Sequence, residues 1–120
     1  MSIKTQNISN ELISILKEMV PEYNYESNAF KDDGIYLFMN DFASTLAESI
    51  KQDPNSHFVS NSFNYINTIG ERSDPDVINL INVGIIEILY TEQSLSRAFI
   101  AMRLSEKLSV LFHAWSEHYR

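Results

Sequence analysis

A chain of 120 residues with 44% hydrophobic composition is the size of one domain and can bury a core without disulfide or metal staples. It contains no cysteine, which excludes disulfides, thiolate nucleophiles and cysteine-ligated zinc and fits a reducing cytoplasm. The formal net charge of −7 argues against a nucleic-acid binder held by phosphate contacts, and the opening residues predict neither a signal peptide nor a membrane span.

The charge is unevenly spread. Residues 18–96 carry thirteen acidic groups against Lys31, Lys51 and Arg72, a net of −10, whereas both ends of the chain are net basic. A field of that sign draws in basic partners and speeds their encounter, although acidity also serves solubility.

The first helix is predicted over Ile8 to Val20, where Ile8, Leu12, Ile13, Leu16, Met19 and Val20 recur at helical spacing and Pro21 stops the run. A connection of about fourteen residues comes next, long for a helix pair. It interleaves Glu22, Glu26, Asp32 and Asp33 with Tyr23, Tyr25 and Phe30. Tyrosine supplies contact area at low rotamer cost, and carboxylates recognise Arg or Lys, so the composition suits a binding loop. The alternative is that the aromatics fold back onto the core while Asp32 or Asp33 caps the next helix.

The second helix, about Ile35 to Gln52, places Ile35, Phe38, Met39, Phe42, Leu46 and Ile50 on one side and ends before Asp53-Pro54. The third, about His57 to Ile69, repeats the stripe with Val59, Phe63, Ile66 and Ile69, and Gly70 is expected as its left-handed terminator. A central helix then runs to Tyr90, with Asp74 as cap, Pro75 where a missing N–H costs nothing, and Asp76 against the positive helix end. Its polar members are Asn79, Asn82 and Glu87, and since Val83 and Ile86 fall in the same arc, no face is properly polar. Such a helix is expected to be covered by the others, and it is too short to cross a bilayer. The last helix is predicted as one unit from about Leu95 to His118, capped by Ser94, with the stripe Ile100, Leu104, Leu108, Leu111 and Trp115 widened by Phe99, Met102 and Phe112. The fold class is therefore all-α: a single domain of about five helices, an irregular bundle or a short HEAT-like stack around a buried fourth helix.

Motifs that carry chemistry are sparse. His113 and Glu117 are four apart and His118 is adjacent, but three rigid ligands are not assembled near a chain end, so no metal is expected. There is no Gly-rich phosphate loop and no strand-turn-helix serine, and the pairs Asp32/Asp33 and Asp74/Asp76 sit where helices begin and are read as caps. Glu87, if buried, needs a partner such as Arg97 or Arg103, and with Asn79 and Asn82 it forms either a core network or a polar pocket. No catalytic residue and no cofactor are assigned.

Three stretches carry a resemblance: Tyr36-Leu37-Phe38-Met39-Asn40-Asp41-Phe42-Ala43, Phe63-Asn64-Tyr65-Ile66-Asn67, and above all Val83-Gly84-Ile85-Ile86-Glu87-Ile88-Leu89. Over residues 35–115 or so the chain resembles a family of small helical bacterial proteins whose members look like immunity proteins of polymorphic and contact-dependent toxin systems. The resemblance implies a cytoplasmic antidote that does no chemistry and binds one cognate toxin domain, a basic nuclease being a natural target for an acidic protein. On that reading the partner-binding residues are Glu22, Tyr23, Tyr25, Glu26, Asp32, Asp33, Asp41, Glu71 and Asp74, with no nucleic acid or membrane bound and a monomer or weak homodimer in solution. The competing expectations are a small-ligand-binding or enzymatic helical domain with its pocket near Asn79, Asn82 and Glu87, and a plain structural subunit.

Overall fold

The computed structural model describes the backbone of residues 3–119 and the side chains of residues 8–119. Its elements are helical: α1 (Ile3–Met19), α2 (Ile35–Gln52), α3 (His57–Gly70), α4 (Pro75–Ile81), α5 (Glu87–Thr91), α6 (Arg97–Arg103) and α7 (Glu106–Ala114). A π-helical turn (Asn82–Ile86) fuses α4 and α5 into one rod over residues 75–91, so the described chain is an irregular bundle of six helical rods, with short 3-10 turns at Tyr25–Ser27 and Trp115–Glu117.

The apolar stripes close on one core. Leu12 and Leu16 of α1, Phe38, Met39, Phe42 and Leu46 of α2, Val59 and Ile66 of α3, Ile81, Ile85 and Ile86 of the rod, and Ile100, Leu108 and Phe112 of the last two helices are all essentially inaccessible to solvent. α1 and α3 are stitched together by Tyr65, whose hydroxyl donates to the Leu12 carbonyl at 2.8 Å, and by an ion pair of Arg72 with Glu11 at 2.5 Å. Burial pushes the Tyr65 phenol well above its usual pKa.

Several local expectations are corrected. α1 begins earlier than residue 8. α2 is capped by neither Asp32 nor Asp33; its N-cap is Gly34 at φ 110°, a left-handed backbone that glycine alone adopts without strain. Gly70 is helical, not left-handed, and its role is proximity: a Cβ there would lie 2.7 Å from Leu108 Cδ1. The cap of α6 is Ser96, whose Oγ accepts from the Phe99 amide, while Ser94 bonds Glu92.

The last helix is two helices. Leu104 turns to extended backbone, Ser105 caps α7 by accepting from the Leu108 amide, and Asn67 of α3 donates to the Arg103 carbonyl at 2.8 Å while accepting from the Ser105 amide at 2.9 Å. A side chain 36 to 38 residues away thus replaces the helical bonds lost at the break. Met102, expected on the buried stripe, is 80% exposed.

The central rod is not wholly covered either. Asn79 is exposed and Val83 is 38% exposed, whereas Ile86 is fully buried. A π turn holds about one residue more than an α turn, which rotates the residues beyond it by roughly 100°. That rotation takes Ile86 out of the open arc. Gly84 lets α2 pass close to the turn, since a Cβ would meet Met39 Cβ at 3.1 Å.

Candidate functional site

The connection between α1 and α2 is anchored from within. Asn28, only 4% exposed, donates from Nδ2 to the Tyr23 hydroxyl at 2.7 Å and to the Phe38 carbonyl at 3.1 Å, and its Oδ1 accepts from the Phe30 amide at 2.8 Å. One amide therefore ties both halves of the connection to α2. Tyr23 packs edge-on against Phe42 at 5.2 Å and faces Phe58 of α3 at 6.3 Å, 20° from parallel; Tyr25 lies against Phe38 at 5.5 Å. Both tyrosines are half-buried and serve the core, as the fold-back reading expects, while Phe30 stays 37% exposed. Burial, with the neighbouring Asp41 carboxylate adding to it against the opposing Asn28 hydrogen bond, pushes the Tyr23 phenol up to about 12.

The carboxylates of the same stretch point the other way. Glu22, Glu26, Asp32 and Asp33 are exposed. Glu26 pairs with Lys31 at 2.6 Å, a contact that lowers the Glu26 pKa and raises that of Lys31. Glu22 is held by a neutral partner, the Asn61 amide of α3, which donates to its two oxygens at 2.9 and 3.2 Å and leaves its charge uncompensated. Of the other expected binding residues, Asp41 lies on α2 beside Tyr23, whereas Glu71 and Asp74 follow the C-terminal end of α3 and Asn61, the partner of Glu22, lies in its first half. Asp74 is engaged in capping, its Oδ1 accepting from the Asp76 amide at 2.9 Å. The nine residues therefore do not form one patch: Glu22, Tyr23, Tyr25, Glu26 and Asp41 gather, Asp32 lines a separate depression with Ser9, Asn10 and Ile13 of α1 and has Asp33 next to it in the chain, and Glu71 and Asp74 stand apart.

A cleft of about 300 Å³ opens where the connection meets α2 and α3, lined by Glu22, Tyr23, Asn24, Ser27, Thr45, Ser49 and Phe58. A more open depression of about 520 Å³ shares Glu22, Tyr23 and Asn24 and continues past Tyr25, whose ring carries the Lys17 ammonium at 4.2 Å. Thr45, Ser49 and Phe58 were not singled out by sequence. The available signal was the spacing of four between Asp41, Thr45 and Ser49, which lays a polar strip on one side of α2.

The rod's polar residues do not meet one another. Asn79 donates to the Tyr36 hydroxyl at 2.7 Å, Asn82 accepts from the Trp115 indole N–H at 2.9 Å, and Glu87 accepts from the Tyr119 hydroxyl. The expected pairing of Glu87 with Arg97 or Arg103 is not made; those guanidinium groups lie over the Tyr90 and Phe99 rings at 4.1 and 3.9 Å. Neither the cleft nor the depression is lined by Asn79, Asn82 or Glu87. Among the described residues, no group of three or more His, Asp or Glu side chains is placed to share a metal ion, and no helix is long and apolar enough to cross a membrane.

Fold and surface together define an all-α domain whose acidic, aromatic-walled cleft is built on a pinned connection. The chain belongs to the family described as Domain of unknown function (DUF7674), whose model matches residues 9–120. No curated protein and no solved structure matches it.

Proposed function

We propose that this chain is an immunity protein that binds and neutralises one cognate bacterial toxin, a basic nuclease domain for choice, through the acidic surface around residues 22–41. The observation that carries the reading is the division of labour within the connection: Asn28, Tyr23 and Tyr25 hold the backbone against the core while Glu22, Glu26, Asp32 and Asp33 stay exposed. A surface fixed before encounter loses little conformational entropy on binding, and its charge steers a basic partner. The acidic excess of residues 18–96 supports the same reading. In it the protein performs no chemistry, needs no cofactor and works in the cytoplasm beside the toxin's target.

The test is a search of the genes adjacent to this one for a toxin domain, co-expression with any such domain found, and affinity measurements at low and high salt. Reversing Glu22, Glu26, Asp32 and Asp33 to lysine is expected to abolish protection and to flatten the salt dependence of binding. Unchanged affinity with unchanged salt dependence would overturn the proposal. The competing pocket at Asn79, Asn82 and Glu87 gains no support from geometry, because each of those side chains is occupied by a different aromatic partner.

A further inference from the structure

We infer that the cleft between the connection, α2 and α3 receives the side chain of an arginine from the bound protein, a deepening that rests on the partner-binding reading. The lining offers acceptors in the Glu22 carboxylate and the hydroxyls of Ser27, Thr45 and Ser49, with Tyr23 and Phe58 as aromatic walls, while the Asn24 oxygen caps the Glu26 amide. An arginine side chain has five N–H donors and no acceptor, so its hydrogen-bonding needs are the complement of this lining. Glu22 is fixed in place by Asn61 yet keeps its negative charge, because its partner is neutral. Asn61 occupies the face between the two oxygens, so a guanidinium reaches Glu22 through the outer lone pair of one oxygen, a charge-assisted bond to a carboxylate already held in one orientation.

The aromatic walls separate arginine from lysine. The Tyr23 and Phe58 rings lie 20° from parallel and 6.3 Å apart, and Tyr23 is locked by Asn28, so the cleft has a fixed aromatic wall against which the flat guanidinium packs better than an ammonium. Among the described residues no lysine lines the cleft, and Lys51 bridges Glu48 and Glu92 at 3.0 and 3.2 Å, Lys31 holds Glu26, and Lys17 covers Tyr25. A cleft of about 300 Å³ with the Glu22 carboxylate in its lining is matched in size and sign to one cationic side chain and a short length of its backbone.

The test is a titration of the isotope-labelled full chain with N-acetyl-arginine amide, and in parallel with N-acetyl-lysine amide, read by amide NMR. Expected are saturable shifts at Ser27, Thr45, Ser49 and Phe58 with the arginine probe, binding about tenfold weaker with the lysine probe, and about tenfold weaker again in Glu22→Gln. Thr45→Val, on the exposed side of α2, provides a second variant and is expected to weaken the arginine probe while leaving the fold intact. No saturable shift, equal response to both probes, or full binding by both variants would overturn the inference. If the probe fails while the four-lysine reversal still abolishes toxin binding, the acidic-surface reading stands and only the arginine cleft falls. If the probe binds but the toxin is indifferent to the reversal, the cleft stands and the immunity reading falls.

Discussion

The connection of residues 21–34 and the central rod of residues 75–91 both mix polar and apolar residues closely, and they spend their polarity differently. In the rod, Asn79, Asn82 and Glu87 each meet one aromatic hydroxyl or indole from a neighbouring element, fastening α2 and the C-terminal turn to it. In the connection the inward polar work falls to one residue, Asn28, and the carboxylates are left toward solvent. Of the rod's three bonds only Asn82 to Trp115 is part-buried, those of Asn79 and Glu87 being exposed, but each side chain is taken up by a neighbour of this same chain. Charge placed on a segment tied down by something else stays available for a partner.

The sharpest way to break the rod's side of this contrast is Gly84→Val. A Cβ at that position already crowds Met39 Cβ at 3.1 Å, and a branched side chain must push α2 away from the π turn. A loss of about 3 kcal/mol is expected in urea unfolding. Asn28→Ala should cost less, about 2 kcal/mol, since it strands the Phe30 amide and removes the bonds that tie the Tyr23 hydroxyl and the Phe38 carbonyl to the connection. Its signature is local: hydrogen exchange should accelerate over residues 22–33 and leave the rod protected. Equal acceleration in both regions would erase the distinction between them.

Asn82→Ala is expected to cost about 1 kcal/mol by leaving the Trp115 indole N–H without its acceptor. Trp115 is the sole tryptophan, so its fluorescence reports the change directly. The mildest effect at neutral pH belongs to Tyr23→Phe, under about 1 kcal/mol, because the Asn28 amide keeps its bond to the Phe38 carbonyl. Its consequence appears in alkali. The folded-state pKa of Tyr23 is raised from 10.0 to about 12, so the stability held by the neutral phenol is complete below about pH 10 and is lost as pH climbs toward 12. The Tyr23→Phe chain should lose less stability across that window than the parent, and the remaining alkaline loss should track Tyr65.

Much of this architecture is legible in the residue order. The stripes of α2 and α3 and the starts and stops at Pro21, Asp53-Pro54 and Asp74-Pro75 emerge where periodicity and proline chemistry place them. Of the candidate site, sequence located the acidic-aromatic connection but not its wall: the spacing of Asp41, Thr45 and Ser49 marks a polar side of α2 without saying what packs beside it, and Phe58 carries no local signal. Asn28 was equally silent: nothing around an asparagine in an acidic loop says that it will be the residue buried.

Residue order by itself determined the helical class, the core-facing stripes and the concentration of negative charge in the middle of the chain, since these depend on neighbours within a few positions. Tertiary structure alone decided the π turn under Gly84, the break between α6 and α7, the close pass at Gly70 and the partner of each polar side chain. Those outcomes are set by residues far apart in sequence. Asn82 meets Trp115 across 33 positions, Glu22 meets Asn61 across 39, and Leu12 meets Tyr65 across 53. Local propensity carries no information at that range, because a buried donor bonds to whichever acceptor packing brings within reach.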